Sequence, residues 1–299
     1  MLAGLEPPNK RSSRVASGKK DLAMTTYETI SVEPITPRIG AMISGIDLAQ
    51  PLGNQQFQEV HDALMRHEVI FFRDQEMTLD QHKEFGRRFG ELDIHPGSPG
   101  PEGHPEVLVI HADEKSKFVA GDLWHSDVSC LEEPPMGSIL HLHTIPTCGG
   151  DTLFASAGAA YDALSEPMKG FLATLTAIHS GEKLYRGRYK HQGVDDAGKV
   201  YPEARHPIVR THPVSGRKSL FVNQGFTLRI PELEKSESAA VLKFLTDHIT
   251  QPQFQVRFKW EKNSVAFWDN RAVQHYAMWD YFPEVRSGFR VTVKGTRPV

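Results

Sequence analysis

Phe254-Gln255-Val256-Arg257-Phe258-Lys259-Trp260 is the clearest strand in the chain. Apolar and polar residues alternate throughout, so one face of the strand is apolar and the other is wet. Residues 289–294 alternate in the same way, and Val69-Ile70-Phe71-Phe72 reads as a short buried strand. Residues 106–111 predict another strand, and from Gly137 onward the pattern is mainly strand and turn. Gly149-Gly150 separates two strand-like runs, and residues 209–222 form a hairpin around Val214-Ser215-Gly216. Helical spacing appears over 54–67, where Phe57, Val60, Leu64 and Met65 recur on one side. It appears again over 78–89, with Thr78 as N-cap and Gly90 closing the helix. Further helices are predicted over 157–175, interrupted near Pro167, and over 236–249. Residues 181–201 are polar and weakly patterned, as expected of a long loop or lid. Short strands with inserted helices and no βαβ rhythm predict a mainly β, α+β architecture with flanking helices. A jelly-roll core fits that pattern and a doubly wound sheet does not.

The 299 residues carry a formal charge of −3, which argues against general nucleic-acid affinity. No apolar run approaches the roughly 18 residues of a membrane span, so no membrane partner is expected. Cys130 and Cys148 are too few for a disulfide framework and fit a reducing, cytoplasmic compartment. Both read as small hydrophobes and not as nucleophiles. Residues 1–23 place Lys10, Arg11, Arg14, Lys19 and Lys20 among Ser, Gly and Pro. That stretch reads as a disordered N-terminal extension, with Met24 a second candidate start and 24–299 a single domain.

Two His-x-Asp pairs occur, His111-Ala112-Asp113 and His125-Ser126-Asp127. Strand alternation would set His125 and Asp127 on one face, giving an imidazole and a carboxylate from one short segment. With a distant third ligand at His275 this is the donor set of a facial 2-His-1-carboxylate iron site. Spacing alone leaves ordinary surface or core histidines as the alternative. His111 meets a charged run, so a solvated loop is the simpler reading there. His141 and His143 alternate without a nearby carboxylate and read as a polar sheet face. Gly149-Gly150-Asp151 lacks the Lys-Ser/Thr of a phosphate loop. Arg286 and Arg290 share parity on a strand, about 13 Å apart at roughly 3.3 Å per residue. Facing a barrel interior, each needs an anion; facing outward, they are solvated strand arginines.

The stretch 123–128, Pro134-Pro135, Gly149-Gly150-Asp151-Thr152, Trp268-Asp269-Asn270-Arg271, Gln274-His275-Tyr276, Arg286 and Arg290 occur in an order that resembles the taurine dioxygenase family. That family comprises iron(II)/2-oxoglutarate-dependent oxygenases. The likeness runs from about Ile39-Gly40-Ala41 to the C-terminus, through Phe71-Phe72-Arg73-Asp74-Gln75, His206-Pro207 and Arg210-Thr211-His212-Pro213. The resemblance implies a double-stranded β-helix core and a dimer or tetramer. It implies Fe(II) on His125, Asp127 and His275, with 2-oxoglutarate held by Arg286 and Thr152 and O₂ as the oxidant. It places Arg290 at the substrate's anionic end and His95 in the pocket wall. Products would be succinate, CO₂ and a hydroxylated substrate; a hydroxylated sulfonate would collapse to aldehyde and sulfite. The taurine-specific relatives have a tyrosine at the position of Ser98 and an asparagine at that of Gly121. Their serine-phenylalanine pair becomes Leu184-Tyr185. These changes imply a bulkier or more apolar anion than taurine, with an aryloxyalkanoate or alkyl sulfate as alternative. A non-catalytic cupin-like binding protein is the other reading, and retention of all three ligands with Arg286 speaks against it.

Overall fold

The computed structural model describes residues 26–95, 100–119, 121–187 and 195–299. The expected extension at 1–23 and the pocket position Ser98 lie outside them.

The strands are β1 (Ser31–Pro34), β2 (Ala41–Ser44), β3 (Val69–Phe72), β4 (Val107–Ala112), β5 (Gly137–Thr144), β6 (Thr152–Ser156), β7 (Thr176–Ser180) and β8 (Glu203–Pro207). They continue as β9 (Val209–Thr211), β10 (Lys218–Leu220), β11 (Thr227–Arg229), β12 (Gln255–Phe258), β13 (Ser264–Asp269), β14 (Val273–Ala277) and β15 (Arg286–Val293). The helices are α1 (Asn54–His67), α2 (Leu79–Arg87), α3 (Ala157–Asp162), α4 (Glu166–Leu172), α5 (Glu182–Tyr185) and α6 (Lys235–Ile249). A seven-stranded sheet runs in the order β1-β2-β3-β13-β5-β15-β4, and a three-stranded sheet in the order β12-β6-β14. Only the β2–β3 pairing is parallel among the described strands. β11-β7-β8 and β10-β9 form smaller antiparallel sheets.

Both faces of the large sheet are covered, which explains why β3 and β13 read as unbroken apolar runs. Ile70, Phe72, Val265 and Phe267 pack outward against Val60 and Leu64 of α1 and Phe85 of α2. Val69, Phe71, Ala266 and Trp268 point the other way, against Phe154, Val256 and Phe258 of the small sheet and Trp260 just beyond it. This is a jelly-roll sandwich with helices outside it. β15 obeys the same alternation. Val291 and Val293 belong to the helix side, so Arg286 and Arg290, of opposite parity, face the interior between the sheets.

Local signals account for most boundaries. Thr78 caps α2 by a reciprocal capping box with Gln81, although the helix ends at Arg87 and not at Phe89. The helix expected over 157–175 is two helices. Ser165 caps the second, and Pro167 lies in its first turn, where a missing N–H costs nothing. The break falls at 163–165, so the interruption expected near Pro167 is present, with the proline just inside the helix that follows it. The strand quoted at the outset is shorter than its pattern, because a 3-10 turn over Pro252–Phe254 precedes it, yet Trp260 still packs on the inner face. Part of 181–201 is the short helix α5, and 188–194 lie outside the described residues. His141 is not on a polar face: it is buried, its ring 6.2 Å from His82.

Candidate metal centre and its cavity

Along β14, Val273 and His275 face the interior, while Gln274 turns away and donates to Val222 O at 2.6 Å. His125 joins this strand by one isolated antiparallel bridge. Its N–H donates to His275 O at 3.1 Å, and His275 N–H donates back at 2.8 Å. The two imidazoles therefore sit side by side, ring centres 4.1 Å apart. The strand expected through His125 is reduced to that bridge, because the chain turns immediately afterwards. The Asp127 N–H donates to Asn270 Oδ1 at 2.6 Å, and Val128 adopts φ +45°. The turn swings Asp127 Oδ1 to 3.7 Å from His125 Nε2 and 3.8 Å from His275 Nε2. All three residues are buried, and their ligating atoms lie within 4.8 Å of one another.

The protonation pattern suits a cation. His125 Nδ1 lies 2.7 Å from Leu123 O. A carbonyl only accepts, so Nδ1 carries a proton there, and Nε2 is the nitrogen that faces the centre. Burial and then the neighbouring His125 hold His275 well below the usual imidazole range, which keeps it neutral. Burial pushes the Asp127 carboxyl up, but the surrounding contacts, the Arg290 guanidinium first among them, outweigh it and hold it well below the usual range. Two imidazoles and one carboxylate are a donor set that Fe(II) accepts.

Arg286 is buried, and its charge meets no carboxylate at salt-bridge distance among the described residues. Its Nε donates to Gly150 O at 2.9 Å and its Nη2 to Thr152 Oγ1 at 3.3 Å. Burial lowers its pKa to about 10, so it stays charged at neutral pH. Trp260 Nε1 also donates to Thr152 Oγ1, at 3.0 Å. With its oxygen accepting twice, the Thr152 hydroxyl has its proton left to give to an anion. Gly150 is required here: it sits at φ +71°, and a Cβ would lie 3.2 Å from Arg286 Cδ. The nearby Asp151 carboxylate is engaged by Arg257 at 2.6 Å. Four residues on, Arg290 Nη1 lies 3.0 Å from Asp127 Oδ1.

These groups line one cavity of about 470 Å³, with His95, Gly121, Leu184 and Tyr185 also in its wall. Leu108, Ile110, Val119 and Phe226 add apolar surface, and Lys115 and Lys117 stand among the same lining. Burial, then Arg290, lowers the His95 pKa.

Residues 31–292 match the sequence profile of the taurine catabolism dioxygenase TauD, TfdA family. The chain belongs to that family. It is an Fe(II)- and 2-oxoglutarate-dependent dioxygenase that consumes O₂. It is 37% identical over 280 residues to the alpha-ketoglutarate-dependent sulfate ester dioxygenase of Pseudomonas putida, covering 90% of this chain and 91% of the relative. It is 36% identical over 283 residues to the alpha-ketoglutarate-dependent sulfonate dioxygenase of Saccharomyces cerevisiae, covering 90% and 68%. A crystal structure of a taurine dioxygenase from Burkholderia xenovorans superposes with a TM-score of 0.79. The two chains are 36% identical, and the match covers 91% of this one and 93% of that one.

The structure brings nearly every residue singled out in the sequence to this one cavity, Ser98 lying outside the described residues. Gly121 lines the cavity as expected; it holds φ +93°, and a Cβ there would stand 3.2 Å from His125 Cε1. Leu184 and Tyr185 are carried by α5 and not by an unstructured loop. His111 belongs to β4 instead of a loop, is exposed, and its ring lies 3.2 Å from Ser287 Oγ. Sequence reasoning missed Gly150 as a seat for Arg286. The glycine pair was visible, but the strand that comes to lie against it was not. It also missed Trp260, Ser138 and Asn270, which hold groups of the centre in place.

Proposed function

We propose that this chain hydroxylates a small anionic organic substrate, foremost an organosulfonate, taurine-like or larger. The observation that carries the reading is Arg290, whose guanidinium is 3.0 Å from the Asp127 carboxylate in a cavity whose wall also includes the apolar Leu108, Ile110, Leu184 and Phe226. That juxtaposition suits a substrate with one anionic end and an apolar body whose reacting carbon lies beside the anionic group. The likeness to a sulfonate dioxygenase and a sulfate ester dioxygenase supports the same chemistry.

His125, Asp127 and His275 would hold Fe(II), and Arg286 with the Thr152 hydroxyl would receive the distal carboxylate of 2-oxoglutarate. When bound, the metal and cosubstrate activate O₂, giving succinate and CO₂ and placing one oxygen on a substrate carbon. The protein's own contribution is placement and exclusion of water. Arg286 fixes the cosubstrate through a fork already oriented by Gly150 O and Thr152. Arg290 and His95 would receive the substrate's anion, and Leu184, Tyr185 and Gly121 with Ser98 would shape the rest of its site. A hydroxylated sulfonate then loses sulfite as its C–S bond breaks and the carbonyl forms.

A larger apolar tail is favoured over taurine itself. Leu184 and Phe226 offer no partner for an ammonium, whose burial unpaired is costly. An alkyl tail gains about 25 cal/mol per Å² buried. The second reading, a sulfate ester or aryloxyalkanoate, rests on the same handle and on the sulfate ester relative.

Succinate release under saturating 2-oxoglutarate, compared across taurine, longer alkylsulfonates, alkyl sulfates and aryloxy acids, tests this. Sulfite release marks a sulfonate substrate and sulfate release an alkyl sulfate. A clear preference for taurine would overturn the pocket argument and leave the iron chemistry intact. No turnover with any anion, together with no spectral change on adding Fe(II) and 2-oxoglutarate anaerobically, would favour the non-catalytic reading.

Three further assignments belong with this proposal. Residues 24–299 act as one domain, supported by the span of the family match. A cytoplasmic location accords with two free cysteines, one of them exposed. A dimer or tetramer is expected, and sedimentation would read it out.

A further inference from the structure

We propose that Asn270 and Ser138 are positioning residues that make Asp127 a one-oxygen ligand held at a fixed place. The proposal rests on the reading of Asp127 as a metal ligand.

Asn270 follows the last residue of β13 and is almost fully buried. Its side-chain amide does what a neighbouring strand would do for Asp127. Oδ1 accepts the Asp127 N–H at 2.6 Å, and Nδ2 donates to Asp127 O at 3.0 Å and to Pro135 O at 3.1 Å. The amide itself is pinned by its backbone N–H on Met136 O at 2.9 Å. The preceding Asp269 carboxylate accepts from Arg271 N, Nε and Nη2 and from His212 Nε2, all within 2.9 Å, so the turn bearing Asn270 has little freedom. Asp127 has no strand of its own, so this clamp supplies the pairing that strand structure would otherwise give.

An independent observation says that the clamp works against strain. Val128 is β-branched and sits at φ +45°, a region such residues avoid. Conformations of this kind persist where the surroundings over-determine them. Asn270 holds the Asp127 N–H and carbonyl, and the latter belongs to the peptide that enters Val128.

Ser138 then decides how the carboxylate is used. It lies on β5 opposite Thr292, on the inner face shared with Leu140 and Leu142. Its hydroxyl donates to Asp127 Oδ2 at 2.8 Å. The other oxygen, Oδ1, is the one 3.7 and 3.8 Å from the two imidazole Nε2 atoms. Oδ1 also accepts from Arg290 Nη1 at 3.0 Å, so Ser138 acts by fixing the carboxylate's rotation: it holds Oδ2 toward β5 and leaves Oδ1 as the oxygen turned to both imidazoles.

The test is Co(II) binding by the full chain, read from visible ligand-field bands, with melting temperature recorded with and without the metal. Wild type should bind and Asp127→Ala should not. If wild type itself fails to bind, the ligand reading fails, which is a different result from failure of this proposal. Ser138→Ala should weaken Co(II) binding about 10- to 100-fold, as loss of a ligand's supporting hydrogen bond does. Its bands should also change shape, because the freed Oδ2 can join the metal. Asn270→Ala should weaken binding by a comparable factor and shrink the metal-induced rise in melting temperature. A merely structural role would lower both melting temperatures equally and leave affinity unmoved. Should Asn270→Ala not fold, Ser138→Ala decides alone. Wild-type affinity and unchanged bands in Ser138→Ala overturn the proposal.

Discussion

Replacing Arg286 tests the cosubstrate side of the centre more sharply than replacing a metal ligand, because the metal site should survive it. The guanidinium is buried, donates to Gly150 O and Thr152 Oγ1, and has no carboxylate at salt-bridge distance among the described residues. A 2-oxoglutarate carboxylate arriving there meets a charge already desolvated and oriented. In Arg286→Ala it would instead be buried without its partner, which costs on the order of 2–5 kcal/mol. At about 1.4 kcal/mol per tenfold, that is a loss of roughly 30-fold to a few thousand-fold in 2-oxoglutarate affinity. Arg286→Lys keeps the charge but cannot hold Gly150 O, Thr152 and a carboxylate with one planar fork. Losing one charge-assisted hydrogen bond costs about 1.5–3 kcal/mol, so its defect should fall at roughly 10- to 150-fold. Anaerobic calorimetry with the Fe(II)-loaded protein measures both dissociation constants, and Co(II) titration checks that the metal site is intact. Wild-type 2-oxoglutarate affinity in Arg286→Ala, with the substrate KM raised instead, would refute the assignment.

Arg290→Ala should do the reverse, raising the substrate KM by a factor reflecting about 2–5 kcal/mol while the 2-oxoglutarate KM moves little; steady-state kinetics with each varied in turn checks it. His125→Ala and Asp127→Ala should abolish Fe(II)-dependent succinate formation, and near-normal turnover in either would remove it from the ligand set. Gly150→Ala must carry a side chain at φ +71° against Pro146, Arg286 and Tyr281, so 2-oxoglutarate affinity should fall with the metal affinity kept, as the two titrations would show. Burial, only partly offset by Arg217, raises the Glu68 pKa from 4.5 to about 7. The folded state therefore holds that proton more tightly than the unfolded chain. The resulting stability is fully present below pH 4.5 and is lost as the pH rises through about 7, a difference of about 3 kcal/mol. Glu68→Gln should be insensitive to this step, so denaturant unfolding should show the variant gaining on wild type across that window, and a constant difference would contradict it.

What could be read in the sequence follows from which constraints are local. Alternation in 254–260 and 289–294 identified strands, and parity placed Arg286 and Arg290 on one face. Which face that was depended on β15 lying between β5 and β4, and pairing between segments so distant in sequence is not written in either segment. The Thr78 and Gln81 capping box is a four-residue signal and was legible in part. The interruption near Pro167 was legible from the proline alone, whereas its placement at 163–165 depends on Ser165, which caps the helix that follows.

The same reasoning explains why the candidate metal ligands were visible and their supports were not. His125 and Asp127 carry chemistry unusual enough to draw notice two residues apart, and His275 lies near a recognisable Trp268-Asp269-Asn270-Arg271 turn. Ser138 is one serine in a strand, and nothing nearby marks it. It matters because sheet register sets Ser138 opposite Thr292 and Leu140 opposite Arg290. The side chains of Ser138 and Arg290 therefore reach the Asp127 carboxylate from neighbouring strands, one at each oxygen. Shifting β15 by one residue against β5 would turn Arg290 and Arg286 toward the helices and leave Asp127 buried with one oxygen unanswered. The register that packs Val291 and Val293 beneath the helices is thus the one that delivers both arginines to the cavity. Core packing and active-site geometry are selected by a single choice of strand alignment.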